Sequence, residues 1–398
     1  MNPADRLAGQ SRLPNVKTTI FAVMSQMAAR HGAINLSQGF PDFECPARLR
    51  QLAAEAMAAG HNQYAPMPGL PALRERIAEK VGDMYGAGVD MDTEITVTSG
   101  ATEALFVAIQ TVVRPGDEVI VFDPAYDSYQ PAVELAGGRC VHLPLGAPDY
   151  AIDFDALADA VGPNTRLVIV NSPHNPSGSA LSPADLERLE QVLARSDAFV
   201  LSDEVYEHIV FDGLAHQSLL RSESLRARSF VVSSFGKTYH TTGWKVGYCI
   251  APPTMTSEFR KIHQYVTFSI STPMQHAIAQ FMADPSFHLE LPDFYQAKRD
   301  HFRGALDDTA WDLMPCRGTY FQLLGYRRIG NLPDVEMAEW LTREVGVACI
   351  PVSVFNADGN DESILRFCFA KGDRTLDAAA EKLRAVGKEL HPPDRTCR

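Results

Sequence analysis

Residues 230–238 read FVVSSFGKT, a short apolar run that ends in a polar turn with a glycine and a lysine. Four upstream stretches repeat this order: EITVTSGAT (94–102), EVIVFDPAY (118–126), RLVIVNSPHN (166–175) and AFVLSDEVY (198–206). A sixth apolar run is VGYCI at 246–250. Several of these runs lack alternation, which is typical of strands buried on both faces of a parallel sheet. The pattern predicts that the chain is built around such a sheet.

Helical patterns separate the apolar runs, for example over Glu103–Val113 and Pro183–Arg195. Strands that alternate with helices indicate an α/β fold, with a mostly parallel sheet flanked by helices. From about residue 280 onward, longer helices mix with a few strands, which predicts a smaller α+β domain. We predict a large domain over residues 46–280, a small domain over 281–398, and an N-terminal segment, 1–45, that packs with the small domain.

The composition excludes some classes of partner. The chain has 398 residues, with 49 acidic and 36 basic side chains and a net charge of −13. An acidic protein without a Lys/Arg block is a poor candidate for binding nucleic acid or an anionic membrane surface. We therefore expect small-molecule partners.

The cysteines and the N-terminal residues indicate a reducing, intracellular setting. The seven cysteines are odd in number and form no CxxC pair, so we predict neither a disulfide framework nor a metal site. The first twenty residues carry charges and no apolar run, and no stretch reaches the roughly 20 apolar residues of a membrane span. These features predict a cytoplasmic location.

The polar turns place chemically useful side chains at one edge of the predicted sheet. In open α/β sheets, ligands bind at the carboxyl ends of the strands. The turn Ser99-Gly100-Ala101-Thr102 opens a helix whose free N–H groups favour a phosphate, although a plain helix cap explains it equally well. Lys237 follows a glycine as in a nucleotide-binding P-loop, but that motif needs a glycine at position 231, which is valine.

A phosphate cradle, a lysine and an aspartate at strand ends together fit pyridoxal 5'-phosphate (PLP). Lysine forms an imine with the aldehyde of this cofactor, and a carboxylate keeps its pyridine nitrogen protonated so that the ring withdraws electrons. Phenol and amide donors are needed near the ring hydroxyl O3'. The sequence offers all of these groups at the predicted sheet edge.

The motifs of the chain resemble those of the PLP-dependent class I/II aminotransferases of fold type I. They occur in family order over nearly the whole chain: NQY (62–64), SGATE (99–103), NSPHNPSG (171–178), SDEVY (202–206), SSFGKT (233–238), TGWKVG (242–247) and RFCFA (366–370). The stretch NLSQGFPDF (35–43) and the Tyr206-Glu207-His208 extension are similar to the methionine and kynurenine/glutamine aminotransferase subgroup. The resemblance implies a large domain with a seven-stranded sheet and a smaller α+β domain.

The resemblance implies a role for each residue around the cofactor ring. Lys237 would hold PLP covalently and, once released by substrate, move a proton as general acid/base. Asp203 would pair with the pyridine nitrogen, Tyr206 and Asn175 would hydrogen-bond O3', and Tyr126 would stack on the ring. The competing structural explanations are a solvated lysine, a helix N-cap aspartate, a core tyrosine, a turn asparagine and ordinary aromatic packing.

The resemblance also implies how the phosphate is held. Its ligands would be Gly100, Ala101, Thr102, Ser234 and Lys245, with Tyr64 reaching the phosphate of a neighbouring subunit. Such sharing implies a homodimer. The alternative for Tyr64 is an aromatic residue of a surface loop.

Substrate binding is implied at a further set of residues. Arg366 would bind the substrate carboxylate, assisted by Asn175 and Gly39; the alternative is a structural ion pair. Phe21, Gly39 and Tyr126, and more weakly Phe268 from the other subunit, would flank the side-chain pocket. This apolar setting favours hydrophobic or sulfur-containing amino acids, including methionine, aromatic residues and glutamine or kynurenine, over aspartate.

Three functions are compatible with this residue set. The leading one is an aminotransferase that moves the amino group of such an amino acid to a 2-oxo acid. The second is a PLP-dependent β-lyase acting on cysteine conjugates, because the same constellation can expel a β leaving group. The third is a non-catalytic PLP-binding regulator, which the acidic charge and the early start of the motifs disfavour.

Overall fold

A computed structural model describes residues 10–393. The helices are Ile20–His31 (α1), Ala47–Ala58 (α2), Pro71–Tyr85 (α3), Gly100–Val112 (α4), Tyr129–Ala136 (α5), Phe154–Ala160 (α6), Pro183–Leu193 (α7), Glu223–Arg226 (α8), Phe235–Thr238 (α9), Pro253–Val266 (α10), Thr272–Phe281 (α11), Ser286–Gly304 (α12), Asp334–Trp340 (α13) and Asp373–Ala385 (α14). The strands are Ile34–Asn35 (β1), Ile95–Thr98 (β2), Glu118–Asp123 (β3), Arg139–Pro144 (β4), Thr165–Asn171 (β5), Phe199–Asp203 (β6), Ser229–Ser234 (β7), Gly247–Ile250 (β8), Asp312–Leu313 (β9), Phe321–Gly325 (β10), Val347–Ala348 (β11), Ile350–Pro351 (β12) and Ile364–Cys368 (β13).

The central sheet has seven strands in the order β2-β8-β7-β6-β5-β3-β4. Strands β3 to β7 pair in parallel, and β8 alone runs antiparallel to both of its neighbours. The predicted mostly parallel, seven-stranded α/β sheet is therefore confirmed, and all six apolar runs are strands. The seventh strand, β4, is an edge strand with partly exposed residues, so it lacks the apolar run that marked the others.

Both faces of the sheet are covered by apolar side chains. Ile120, Val168 and Val200 face one hydrophobic cluster, whereas their neighbours Val119 and Leu167 face another on the opposite side. Because adjacent residues of a strand point to opposite faces, two buried faces require an uninterrupted apolar run. This explains why several strands of the sheet lack a polar–apolar alternation.

A smaller sheet, β12-β13-β10-β9, is antiparallel and lies in the C-terminal part of the chain. Strand β1 pairs in parallel with β11, through Ile34 with Val347 and Asn35 with Ala348. The N-terminal segment thus contributes a strand to the C-terminal part, and this pairing brings Gly39 close to the central sheet. Cys397 lies outside the described residues, and the other six cysteines are free thiols.

None of the helices between residues 10 and 393 combines the length and the apolar character needed to cross a bilayer.

Candidate active site

The carboxyl ends of β3, β5, β6 and β7, together with the turn after β2, border one cavity of about 230 Å³. Nearly all of the predicted site residues line it: Phe21, Gly39, Gly100, Ala101, Thr102, Tyr126, Asn175, Asp203, Tyr206, Ser234, Lys237, Lys245 and Arg366. Parallel strands bring these side chains together because their carboxyl ends lie at the same edge of the sheet. The exceptions are Tyr64 and the weaker candidate Phe268, both of which were predicted to act on a neighbouring subunit; neither lines the cavity of its own chain.

One end of the cavity is built to hold an anion. Helix α4 begins at Gly100, whose φ of +68° favours glycine, and a Cβ there would lie 3.1 Å from the Nζ atom of Lys245. A Cβ on Gly247 would lie only 3.0 Å from the backbone nitrogen of Ala101. The side chain of Ser99 makes no capping hydrogen bond, so the plain helix-cap explanation fails. Free N–H groups, the helix dipole and an ammonium group therefore converge, as a phosphate requires.

Asp203 ends strand β6 and is buried at the middle of the site. Its carboxylate accepts hydrogen bonds from the Tyr129 hydroxyl at 2.8 Å and from the backbone N–H of Val205 at 3.4 Å. Burial raises the pKa of this carboxyl to about 6, and the hydrogen bond from Tyr129 counteracts part of that rise. No α-helix begins at Asp203, so it is not a helix N-cap. A buried carboxylate of this kind needs a cationic partner, which a protonated pyridine nitrogen supplies.

Lys237 lies in the short helix α9, directly after β7. Its Nζ donates hydrogen bonds to the carbonyl oxygen of Gly39 at 3.1 Å and to the Tyr320 hydroxyl at 2.8 Å. Burial lowers the pKa of the amine to about 8, because a low-dielectric surrounding disfavours the charged form. Lys237 is therefore not a solvated surface lysine, and a fraction of its amine is neutral and nucleophilic near neutral pH.

Arg366 lies on β13 and is 1% exposed. It donates hydrogen bonds to the side-chain oxygen of Asn175 at 2.8 Å and to the carbonyl of Ser37 at 3.0 Å, and its Nε is buried without a partner. Within residues 10–393 no carboxylate forms an ion pair with it, so the structural ion-pair explanation is wrong. A buried guanidinium without an anion is costly, and its two-pronged geometry suits a carboxylate.

These groups fit PLP. The glycine-rich start of α4 with Lys245 matches the phosphate, the buried Asp203 matches the ring nitrogen, and Lys237 matches the aldehyde. Tyr126, Tyr206 and Asn175 border the space between them, where the ring would lie.

Several functional candidates escaped the sequence analysis. Tyr129 contacts Asp203, Tyr320 contacts Lys237, and Phe40 and Gln38 line the cavity. Tyr320 precedes β10 and reaches the site only through packing of the smaller sheet against the central one. For Tyr129, the first residue of α5, the local signal was its position three residues after the predicted site residue Tyr126.

The chain matches a model of the family described as aminotransferase class I and II over residues 31–383. It is 53% identical to methionine aminotransferase of Escherichia coli K12, over 96% of this chain and 99% of that protein. It is 38% identical to a probable N-succinyldiaminopimelate aminotransferase of Mycobacterium tuberculosis (95% and 98% covered) and 32% identical to kynurenine–oxoglutarate transaminase 1 of Rattus norvegicus (96% and 98%).

Solved structures agree with these relatives. A structure from Escherichia coli with an identified methionine aminotransferase function superposes with a TM-score of 0.93, at 52% identity, covering 94% of this chain and 99% of that one. An aspartate aminotransferase variant of Thermus thermophilus superposes with a TM-score of 0.87 at 29% identity, covering 94% and 98%. With its sheet, its cavity and these likenesses, the chain belongs to the class I and II aminotransferases and is a PLP-dependent transaminase.

Proposed function

We propose that the enzyme transfers the amino group of a hydrophobic or sulfur-containing L-amino acid, with methionine foremost, to a 2-oxo acid. The observation that carries the proposal is the buried Arg366, which has no ion-pair partner among the described residues and lies in the same cavity as Lys237 and Asp203. The 53% identity to a methionine aminotransferase supports methionine as a donor.

The walls of the cavity favour an apolar substrate side chain. Phe21, Phe40, Tyr126 and Phe321 line it, and the guanidinium of Arg366 lies 4.0 Å from the centre of the Phe321 ring. Among the described lining residues, the cations are Lys237, Lys245 and Arg366, and each already has a role. A second substrate carboxylate would therefore lack a cation, which disfavours aspartate and glutamate.

Each residue has a defined task in the proposed reaction. When bound, PLP would supply an electron-withdrawing ring that stabilises negative charge at the substrate Cα and a carbonyl carbon that accepts the amino group. Arg366 and Asn175 orient the substrate carboxylate, and the Lys237 amine takes the proton from Cα. Asp203 holds the ring nitrogen in its charged form, while Tyr206 and Asn175 are placed to donate to O3'. The first amino acid leaves as a 2-oxo acid before the second 2-oxo acid binds.

We also propose that the enzyme is a homodimer whose subunits share their active sites. Tyr64 is 82% exposed, and its ring packs edge-on against that of Phe268, with 5.3 Å between the ring centres. Tyr265 and Val266, which shortly precede Phe268 in the chain, are also exposed. A cluster of exposed apolar side chains is typical of an interaction surface.

We propose the division into an N-terminal segment (1–45), a large domain (46–280) and a small domain (281–398). The pairing of β1, in the N-terminal segment, with β11, in the small domain, supports it.

An oxo-acid exchange assay tests the proposed activity. The PLP-loaded enzyme is incubated with methionine or aspartate and a panel of 2-oxo acids, and the new amino acids are quantified. We expect turnover with methionine to exceed that with aspartate at least tenfold. Absence of exchange with every hydrophobic and sulfur-containing donor would overturn the proposal. The β-lyase alternative instead predicts pyruvate and ammonia from a cysteine conjugate without any oxo-acid acceptor.

A further inference from the structure

The Lys237 amine has a second partner that the proposed reaction leaves without a task. The Tyr320 hydroxyl lies 2.8 Å from the Lys237 Nζ and donates its own hydrogen to the Gly39 carbonyl at 2.6 Å. The amine also donates to the same carbonyl at 3.1 Å. The Tyr206 hydroxyl is a further hydrogen-bond partner of the same phenol. With the Tyr320 hydrogen directed to the Gly39 carbonyl, the phenol oxygen accepts from the Lys237 amine.

Tyr320 is held rigidly. Its side chain is fully buried, with its ring edge-on to Tyr206 at 5.1 Å and to Phe321 at 4.9 Å. The hydroxyl therefore cannot leave the amine without displacing packed rings. A rigidly held hydroxyl can therefore determine in which direction the N–H bonds and the lone pair of the Lys237 amine point.

We propose that Tyr320 is a positioning residue for the free amine of Lys237, which it holds jointly with the Gly39 carbonyl during proton transfer. The inference rests on the proposed function, in which Lys237 is the proton-transferring base. A neutral amine has two N–H bonds and one lone pair. With both N–H bonds directed to the two oxygens, the lone pair is the position left for the substrate.

The proton balance agrees with this arrangement. The Cα–H bond of the substrate breaks, its electron pair stays with the substrate carbon, and the proton forms a third N–H bond on Lys237. The resulting ammonium has three donors. Two remain bonded to Tyr320 and Gly39, and the third is the proton that is later given back. Without Tyr320, the amine loses an acceptor and the direction of its lone pair is no longer fixed.

The test compares Tyr320→Phe with Tyr295→Phe. Tyr295 is equally buried, its ring lies 5.7 Å from that of Tyr320, and its hydroxyl has no hydrogen-bond partner in the described chain. We expect Tyr320→Phe to slow single-turnover deamination of methionine about tenfold to hundredfold, with KM little changed, which is the range for losing a hydrogen bond to a charged group. The isotope effect with α-deuterated methionine should increase, because proton transfer becomes more rate-limiting. Tyr295→Phe should match the wild type.

A second readout uses the protein without bound cofactor. The rate at which added PLP recombines with the apoenzyme follows the neutral fraction of the Lys237 amine, whose pKa is about 8. Loss of the acceptor disfavours the ammonium form, so Tyr320→Phe should move the pH midpoint of recombination downward. If Tyr320→Phe does not fold, 4-fluorophenylalanine at position 320 nearly keeps the shape of the phenol, cannot ionise and is a much poorer acceptor, so it should shift the midpoint in the same direction.

The outcomes separate the inference from the proposed function. Borohydride reduction that fixes PLP to a lysine other than Lys237 overturns both. The inference alone is overturned if PLP is attached at Lys237 but Tyr320→Phe has the same isotope effect and the same pH midpoint as Tyr295→Phe.

Discussion

At the scale of single residues, the site depends on charged groups placed where water cannot reach them. Asp203 and Arg366 are both buried, and neither has an oppositely charged side chain as a hydrogen-bond partner within residues 10–393. Burying a charge without a counter-charge costs several kcal/mol, so such groups persist where a ligand completes them. We expect the cofactor to complete Asp203 and the substrate carboxylate to complete Arg366.

Substitution of Arg366 by lysine tests the carboxylate site. Arg366→Lys keeps the positive charge but loses the planar fork that binds a carboxylate with two hydrogen bonds. We expect KM for methionine to rise about tenfold to hundredfold, corresponding to roughly 1.5–3 kcal/mol for a charged hydrogen bond. The absorbance of bound PLP should stay unchanged. An unchanged KM, measured by steady-state kinetics, would show that the carboxylate binds elsewhere.

We expect the hydroxyl of Tyr129 to set the acid limit of cofactor binding. Its hydrogen bond to Asp203 lowers the pKa of a carboxyl that burial raises to about 6. Tyr129→Phe removes that bond, so the pKa rises further and Asp203 becomes protonated at a higher pH. We expect the acid limb of PLP retention, followed by absorbance against pH, to move upward by about one unit. A limb at the wild-type pH would exclude this role for Tyr129.

At the scale of elements, a buried ion pair ties helix α3 to the central sheet. Lys80 contacts Glu207 at 2.6 Å and Tyr248 of β8 at 2.5 Å, and Glu207 also accepts from Tyr85 at 2.5 Å and from Ser233 of β7. Burial alone would raise the pKa of the Glu207 carboxyl, but the charge of Lys80 and these hydrogen bonds hold it well below its ordinary value. Glu207 directly follows Tyr206, so the pair holds in place the turn after β6 that carries the predicted ring contact Tyr206.

Breaking this pair should destabilise the fold. Lys80→Met leaves the Glu207 carboxylate buried and unpaired, which costs about 3–5 kcal/mol. The double variant Lys80→Met/Glu207→Gln should recover much of that loss. The Glu207 pKa is lower in the folded chain than in the unfolded chain, so its stabilisation is present above the unfolded pKa and is lost as the pH falls through the folded value. Denaturation midpoints against pH measure both effects; equal midpoints for the single variant and the wild type would contradict the account.

The elements also show how far the sequence could predict the structure. Short apolar runs followed by polar turns identified six strands of the central sheet, because burial on both faces leaves a local mark in most of them. Strand β4 escaped because an edge strand needs no such run. Side chains that follow strand ends, such as Asp203 and Lys237, could be placed at one edge from topology alone. Tyr320 could not, because only packing of the smaller sheet brings it to Lys237.

At the scale of the whole molecule, the predicted phosphate contact of Tyr64 requires a second subunit, because this exposed residue does not line the cavity of its own chain. If it reaches the phosphate in a neighbouring subunit, Tyr64→Phe should weaken PLP binding about tenfold and leave the assembly intact. Analytical ultracentrifugation should give twice the chain mass of 43.7 kDa for both proteins. The exposed Tyr265 provides a matched control, and Tyr265→Phe should bind PLP as the wild type does. A monomer that binds PLP fully would contradict the shared site.

Every role proposed for the site requires that the cofactor attaches to the Lys237 amine, and peptide mass spectrometry after borohydride reduction locates that attachment. The PLP-loaded enzyme is reduced and digested, and the peptide that carries the reduced cofactor is sequenced. We expect the added mass on Lys237 and none in Lys237→Ala. The added mass on Lys245 or on any other lysine, or its absence from the wild type, would show that Lys237 does not hold the cofactor.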